Sequence, residues 1–177
     1  GSDGLQGPAG SDGERGETGE RGTYGKGTFS LKESRLNNAN TITILDSSTI
    51  RKDGLDGWNS SVFSLESYLK PRVSFTPGSL GPDIFVGLTS RPEVSIDFSH
   101  IQFGIYLADD LSIQIYESNV LVKVVDGTYS SDTVFSIENS GKLISYFIGG
   151  SCVYEHSSDT SAPLHASFLI NRSGYSI

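Results

Sequence analysis

Cysteine and basic residues are scarce in this sequence. Its 177 residues include one cysteine, Cys152, so a disulfide bond within the chain is excluded. The alternating neighbours of Cys152 predict a strand position, where a lone cysteine usually behaves as a small buried hydrophobic residue. The 13 lysines and arginines are outnumbered by 21 aspartates and glutamates, which gives a net charge of −8. This balance argues against non-specific binding to nucleic acids and against an anionic membrane surface as partner.

Long apolar runs are also missing. No stretch of about 18 apolar residues exists, so the sequence predicts no membrane-spanning helix. No segment keeps a sustained helical period, and 64–69 could form one turn at most. No secretion signal is visible, but the chain opens in mid-repeat, and we expect it to be a fragment or a processed product of a longer chain.

Motifs that carry chemistry are absent as well. The sequence has no G-x-S-x-G elbow, no phosphate-binding loop, and no H-x-x-x-H or C-x-x-C spacing. His100, His156 and His165 lie far apart, and we expect each at the surface or on an edge strand. Glu117 and Glu155 are the one pair of strand-end carboxylates that a glycosidase could use, and no E-x-D-x-x-E pattern accompanies them. We therefore predict that the protein is not an enzyme.

Glycine, in contrast, is abundant and periodic at the start of the chain. The collagen triple helix winds three chains so tightly that only glycine fits at every third position. A flexible glycine-rich linker needs no such period. We therefore predict a collagen-like stalk over residues 1–27 and a head over residues 28–177. The in-phase glycines are Gly1, Gly4, Gly7, Gly10, Gly13, Gly16, Gly19, Gly22 and Gly25.

The predicted stalk carries charge where animal collagen carries proline. Pro8 is its one proline, and no triplet ends in proline, so hydroxyproline cannot stabilise it. Glu14, Arg15 and Glu17 place opposite charges where neighbouring chains can pair. Such exposed pairs contribute less than about 1 kcal/mol each and weaken with salt. The stalk predicts a homotrimer whose triple helix is marginally stable alone.

From residue 28 onward, apolar and polar residues alternate. Short runs rich in Val, Ile, Phe, Tyr and Thr are separated by turn signals such as TPGSLGPD and ENSGK. The run 83–89 is continuously apolar, as in a central strand buried on both faces. The pattern predicts an all-β antiparallel sandwich or jelly roll of about ten to twelve strands. The predicted strands are 40–45, 61–66, 72–76, 83–89, 101–107, 111–117, 120–126, 133–138, 142–148 and 165–171.

Two hairpins can be predicted from the connections between these strands. Residues 118–119 form a two-residue connection between 111–117 and 120–126, which suits a tight turn. The second connection, between 133–138 and 142–148, contains Gly141, which can supply a positive φ.

The order of the runs resembles a known family. DIFVGLTS is followed by SIDFSHIQFGIYL, by LSIQIYESN, and by a strand pair that ends in SYFIGGSCVYE. This order is similar to that of lectin-like jelly rolls of the concanavalin A-like class, which includes laminin-G and SPRY-type domains. The likeness covers about residues 83–155 and implies the fold more than the ligand. Stalk and head together resemble trimeric fibre and surface-filament proteins, and a tumour-necrosis-factor-like jelly roll is the alternative fold.

The loop Lys52–Ser61 is the candidate ligand site. It carries Asp53, Asp56, Trp58 and Asn59 within seven residues. Sugar sites combine an exposed aromatic ring with carboxylate and amide groups, so Trp58, Asn59 and Asp56 are the candidate glycan-binding residues. Asp53 and Asp56 are candidate calcium ligands, although the third ligand and the distal glutamate of an EF-hand are missing. Alternatively, Trp58 fills the core and the aspartates only form turns.

Together these patterns predict a non-enzymatic, extracellular trimer at a cell or virion surface, whose stalk presents lectin-like heads that bind glycans. Three heads presented together would gain avidity without tighter single sites. The alternative hypothesis is a structural subunit in which the head directs trimerisation or filament assembly and binds no sugar. The glycosylation motifs at Asn59 and Asn171 matter only in a eukaryotic secretory pathway.

Overall fold

The structure, a computed structural model, describes residues 29–177. The collagen-like stalk predicted for residues 1–27 lies outside the described residues and stays a prediction. In the described part the chain forms thirteen strands and a short 3-10 helix, Phe98–His100, and contains no helix that could cross a membrane. The strands are β1 (Leu31–Glu33), β2 (Ile42–Asp46), β3 (Thr49–Lys52), β4 (Val62–Ser64), β5 (Arg72–Phe75), β6 (Ile84–Thr89), β7 (Phe103–Leu107), β8 (Ile113–Glu117), β9 (Val120–Val125), β10 (Phe135–Asn139), β11 (Leu143–Ile148), β12 (Ser151–Ser157) and β13 (His165–Ile170).

Two antiparallel sheets form a sandwich. The larger sheet has seven strands in the order β1-β4-β13-β6-β7-β8-β9, and the smaller has four in the order β12-β11-β10-β5. The hairpin β2-β3 forms a separate small sheet. The main apolar core joins residues of both large sheets, among them the buried Val86, Leu107, Phe135 and Tyr146. The predicted all-β antiparallel sandwich is therefore confirmed.

Alternation along the sequence predicted most of these strands correctly. Both predicted hairpins are confirmed, since β8 pairs with β9 and β10 pairs with β11. Ser118 and Asn119 have φ values of 48° and 66°, as a tight turn of type I′ requires. All six residues of β6 are buried, as its continuous apolar run predicts. The predicted strands do not include β1 and β3, which have three and four residues.

The β2-β3 hairpin is held by the segment 175–177. Ile50 and Ile177 exchange two backbone N–H···O bonds of 3.0 Å each. The backbone N–H of Lys52 donates to the carbonyl oxygen of Tyr175 at 2.9 Å. Strand β3 therefore has a hydrogen-bonded partner on both sides, β2 on one and this segment on the other.

Three predictions about single residues are wrong. Cys152 is exposed rather than buried, because β12 is the edge strand of the smaller sheet and most of its side chains face solvent. His100 is buried, with 7% of its surface exposed, and its Nε2 lies 2.8 Å from Ser167 Oγ. His165 lies on β13, inside the larger sheet rather than at its edge. His156, on β12, is exposed as predicted.

The strands of the larger sheet run between two ends of the sandwich. At one end, which we name the junction end, the chain arrives at Ser30, whose carbonyl oxygen accepts the N–H of Leu65 at 2.8 Å. Strand β13 begins at this end and runs for six residues to the other. At this far end the N–H of Asn171 donates to the carbonyl oxygen of Asp83 at 2.9 Å. At about 3.4 Å per residue, the two ends lie roughly 20 Å apart.

The outer face of the larger sheet is the face that points away from the smaller sheet. Two glycines on this face let other side chains pack closely against it. Gly87 on β6 lies opposite Gly104 on β7. A Cβ at Gly87 would lie 2.3 Å from the carbonyl oxygen of Phe103 and 2.4 Å from Ile101. A Cβ at Gly104 would lie 2.3 Å from the ring of Phe85. Any larger residue at this pair would therefore push the covering side chains away from the sheet.

Gly87→Ala is expected to destabilise the head, because a clash with a backbone carbonyl cannot be relieved by rotating a side chain. We expect the free energy of unfolding, measured by urea denaturation, to fall by about 1–3 kcal/mol. Gly149→Ala is the control, since no atom lies within 4 Å of its added Cβ and only its φ of 56° adds strain. A Gly87 variant with the wild-type free energy of unfolding would contradict the close approach.

The buried His100 makes the stability of the head sensitive to acid. Burial lowers the pKa of His100, an effect that the backbone of Asp97 and then its carboxylate partly offset. The unfolded chain therefore binds a proton that the folded chain excludes, and stability falls as the pH drops below about 6.5. We expect His100→Gln to reduce the loss of unfolding free energy between about pH 7 and pH 5. Urea denaturation at both pH values measures this loss, and equal losses in variant and wild type would contradict the assignment.

Candidate functional site

The outer face of the larger sheet carries a cluster of aromatic rings. Because side chains alternate along a strand, Phe85 on β6, Tyr106 on β7 and Tyr116 on β8 point away from the main core. Phe98 from the 3-10 helix and Trp58 from the loop after β3 pack on them. We name these five rings the aromatic patch. Phe85 is buried and the other four are half-buried, so part of the patch is open to solvent.

Contacts within the aromatic patch hold each ring in one orientation. Phe85 stacks on Phe98 and on Tyr106, with centroid distances of 5.3 Å and 5.8 Å. Trp58 meets three rings edge-on, at 5.4 Å from Phe98, 5.9 Å from Tyr106 and 6.5 Å from Phe85. Such aromatic pairs stabilise by about 0.5–1.5 kcal/mol beyond the area that they bury. The position of the indole is therefore set by the folded sheet beneath it.

Polar groups border the aromatic patch at the far end. The Tyr106 hydroxyl donates to Asp83 Oδ1 at 2.5 Å, and the Asn171 amide donates to the other oxygen of the same carboxylate. The Tyr116 hydroxyl donates to Gln114 Oε1 at 3.0 Å. Burial, and then the hydrogen bond to Asp83, raises the pKa of Tyr106, so this hydroxyl stays protonated. The border therefore combines carboxylate, amide and hydroxyl groups beside aromatic rings.

A buried ammonium group shapes the loop that carries Trp58. Lys52, the last residue of β3, has none of its surface exposed. Its Nζ donates to the carbonyl oxygen of Gly57 at 3.0 Å, to Ser60 Oγ at 2.9 Å, and to Asn59 Oδ1. Burial lowers the pKa of Lys52. The loop thus turns around one internal cation, and Trp58 lies between the residues that bind it.

The candidate calcium ligands accept hydrogen bonds from protein donors. Asp53 accepts from Arg51 Nε at 2.6 Å and from the hydroxyl of Thr43. Asp56 accepts the N–H of Ser173 at 2.8 Å. Within residues 29–177, no three carboxylate, histidine or cysteine side chains lie together as a metal site would need. Calcium binding at this loop stays a prediction.

The three candidate glycan-binding residues occupy different surroundings. Trp58 belongs to the aromatic patch and lies outside the main core, so it is neither fully exposed nor a plug of that core. Asn59 directs its amide oxygen to the Lys52 ammonium. Asp56 is held against the backbone of Ser173. Of the three candidates, Trp58 belongs to the aromatic patch, and Asn59 and Asp56 do not.

The two carboxylates considered for a glycosidase are held apart. Glu117 accepts from the buried Tyr146 hydroxyl at 3.1 Å and pairs with His156 Nδ1 at 3.1 Å. Glu155 accepts from Ser145 Oγ at 2.9 Å. Because side chains alternate along β11 and β12, Tyr146 and Ser145 lie on opposite faces of the smaller sheet. The two carboxylates therefore approach that sheet from opposite sides.

Sequence reasoning missed most of the aromatic patch and its border. Phe98, Tyr106, Tyr116 and Asp83 were not candidates, although a signal for two of them exists. Tyr106 and Tyr116 stand at the polar positions of strands whose other positions are apolar, and aromatic rings there indicate a second covered face. Nothing in the sequence distinguishes the buried Lys52 from an exposed lysine.

Solved structures with a similar fold exist. No protein family matches the chain, and no curated protein matches it. The TRIM65 PSpry domain superposes with a TM-score of 0.63 at 10% identity, covering 83% of this chain and 89% of that domain. The stonustoxin structure gives 0.60 at 12% identity and covers 82% of this chain, which spans only 27% of stonustoxin.

A third solved structure extends the likeness to glucanases. A Bacillus licheniformis beta-glucanase superposes with a TM-score of 0.50 at 10% identity, covering 85% of this chain and 84% of that enzyme. The head therefore has a jelly-roll-like fold resembling SPRY and glucanase domains, as the order of its strands predicted. At these identities the likeness establishes the fold alone.

Lys52→Met is expected to loosen the loop that carries Trp58, because three oxygen atoms lose their donor. We expect the free energy of unfolding to fall by about 1–3 kcal/mol, measured by urea denaturation. Trp58 is the sole tryptophan of the chain, so its fluorescence should shift to the red as the indole becomes more exposed. Lys123→Met on β9 is the control, since Lys123 is exposed. An unshifted emission in the Lys52 variant would contradict the role of the ammonium.

Proposed function

We propose that the chain is a non-enzymatic subunit of a trimeric extracellular fibre or adhesion protein, located at a cell or virion surface. In this proposal the glycine-repeat segment joins three chains, and each head binds a glycan at the aromatic patch. The fold is compatible with a carbohydrate-related or protein-interaction module. Three sites on one stalk would bind a surface of repeated sugars with avidity.

The observation that carries the proposal is the half-exposed aromatic patch with its polar border near the far end. A sugar ring has apolar C–H faces that stack on aromatic rings and hydroxyl groups that need hydrogen-bond partners. Trp58, Tyr106 and Tyr116 supply the rings, while the half-buried Gln114 and the two tyrosine hydroxyl groups supply polar contacts at the border. Small-molecule sites typically place a small number of polar groups beside an apolar surface.

The position of the polar border supports a role in presentation. The chain reaches the head at the junction end, and Asp83 with Asn171 lies at the far end, roughly 20 Å away. A stalk that leaves from the junction end would therefore point these groups away from itself. Such a placement suits a head that contacts an external surface.

The proposal contains no catalytic step. The two carboxylates of a glycosidase must flank one sugar bond, about 5–10 Å apart. Glu117 is paired with His156 and faces the interior, whereas Glu155 is bonded to Ser145 on the outer side of the smaller sheet. This arrangement favours binding over hydrolysis.

We also propose that sugar binding does not need calcium. Calcium in lectins organises loops by collecting oxygen ligands around a cation. In this loop the Lys52 ammonium already collects three oxygen atoms, and Asp53 and Asp56 already accept hydrogen bonds. The alternative, in which both aspartates bind calcium, remains the prediction to test against it.

A glycan array with the full chain, run with calcium and with a chelator, tests the proposal. We expect selective binding that is equal under both conditions. Trp58→Ala should weaken that binding at least about tenfold, because the stacking surface is lost. Leu55→Ala in the same loop is the control, since Leu55 is 84% exposed and lies outside the patch.

Other outcomes separate the alternatives. Loss of binding in the chelator would support calcium ligation by Asp53 and Asp56 and contradict the role given to Lys52. A blank array from a folded trimer would contradict glycan binding and favour the head as an assembly module.

A further inference from the structure

Three large apolar side chains are exposed close together at the junction end. Leu65, Tyr68 and Leu69 are 54%, 50% and 56% exposed, and they lie within five consecutive residues. They belong to the connection that leads from β4 in the larger sheet to β5 in the smaller one. We name these three residues the junction patch. Apolar side chains clustered in this way on a single chain mark a surface that another molecule covers.

The junction patch is tied directly to the point where the chain reaches the head. The backbone N–H of Ser30 donates to Glu66 Oε2 at 2.8 Å, and the N–H of Leu65 donates to the Ser30 carbonyl oxygen at 2.8 Å. Ser30 is therefore held on both sides by residues of the same connection. The position of the junction patch relative to the incoming chain is fixed by these bonds.

In the proposed trimer, the junction patch lies close to the three-fold axis. The last in-phase glycine, Gly25, precedes Ser30 by five residues, which can span at most about 18 Å. If three chains wind together up to Gly25, as the proposed function requires, each Ser30 lies within about 18 Å of their common axis. Since Leu65 is hydrogen-bonded to Ser30, the three junction patches converge on the same axis.

We propose that the junction patch contacts the junction patches of two other copies of this chain. This inference rests on the three-chain association in the proposed function and adds the surface through which the heads hold each other. Burial of Leu65, Tyr68 and Leu69 around the axis removes apolar surface from water. The contact stabilises a triple helix whose exposed charge pairs contribute little.

A second exposed apolar surface lies on β9, but its position does not fit the axis. Val120, Leu121 and Val124 are 61%, 45% and 53% exposed. Strand β9 is at the opposite edge of the larger sheet from β1, six strand spacings away. At about 4.8 Å per spacing this is roughly 29 Å, so β9 stays at least about 11 Å from the axis, whereas the junction patch can reach it. These residues therefore serve as a matched control.

The test uses the full chain in three forms: wild type, Leu65→Ser with Leu69→Ser, and Leu121→Ser with Val124→Ser. Sedimentation velocity over a dilution series gives the concentration at which trimers dissociate, and circular dichroism on heating follows the triple helix and the head separately. We expect the wild-type chain to be a trimer. The junction variant should dissociate at a concentration at least about tenfold higher, with an unchanged thermal transition of the head. The β9 variant should behave as the wild type.

The outcomes distinguish this inference from the proposed function. A junction variant that dissociates like the wild type, or a β9 variant that dissociates more easily, overturns the junction contact alone. A monomeric wild-type chain without a triple-helix transition overturns both the three-chain association and the contact built on it. A blank glycan array from a trimer that depends on Leu65 and Leu69 overturns glycan binding and leaves the contact standing.

Discussion

The centre of the larger sheet is apolar on both faces, and the architecture of the head depends on covering both. The inner face packs against the smaller sheet to form the main core. The outer face presents Phe85 and Leu169, which would lose about 25 cal/mol for each Å² left in water. Ile101 and the neighbouring Phe98 supply most of the second cover, and Gly87 lets Ile101 approach the sheet closely. A two-layer sandwich thus gains a partial third layer made of loops.

The candidate site exists because this third layer is incomplete. The loop cover ends at Trp58, and beyond it Tyr106 and Tyr116 keep part of their rings in solvent. Their hydroxyl groups are satisfied at the border by Asp83 and Gln114. A fully covered face would be only a second core, and an uncovered one would be an aggregation hazard. This intermediate state leaves part of the aromatic rings open to solvent beside their polar border.

Sequence reasoning reached the fold more easily than the site, and the physical reason is the range of the interactions. Period-two alternation and short apolar runs are local patterns, so strands such as β6, β8 and β9 and the tight turn at Asn119 could be predicted. The burial of His100 and the exposure of Cys152 depend on which distant segment covers a strand, and alternation carries no such information. Trp58 could be singled out because aromatic residues are rare in turns. Its fixation by Lys52 could not, because a buried lysine looks like any other until its oxygen partners are placed.

The hydrogen bonds between β3 and the segment 175–177 bear on the order in which the head can be completed during synthesis. Lys52, whose ammonium group binds the loop oxygens, lies on β3. On the side away from β2, this strand is hydrogen-bonded to Tyr175 and Ile177. Residues 53–60 leave the ribosome more than a hundred residues before that partner does. The loop therefore leaves the ribosome well before β3 can gain its second hydrogen-bonded partner. A chain cleaved before residue 175 would lose the hydrogen-bonded partner on one side of β3, the strand that leads into the loop carrying Trp58.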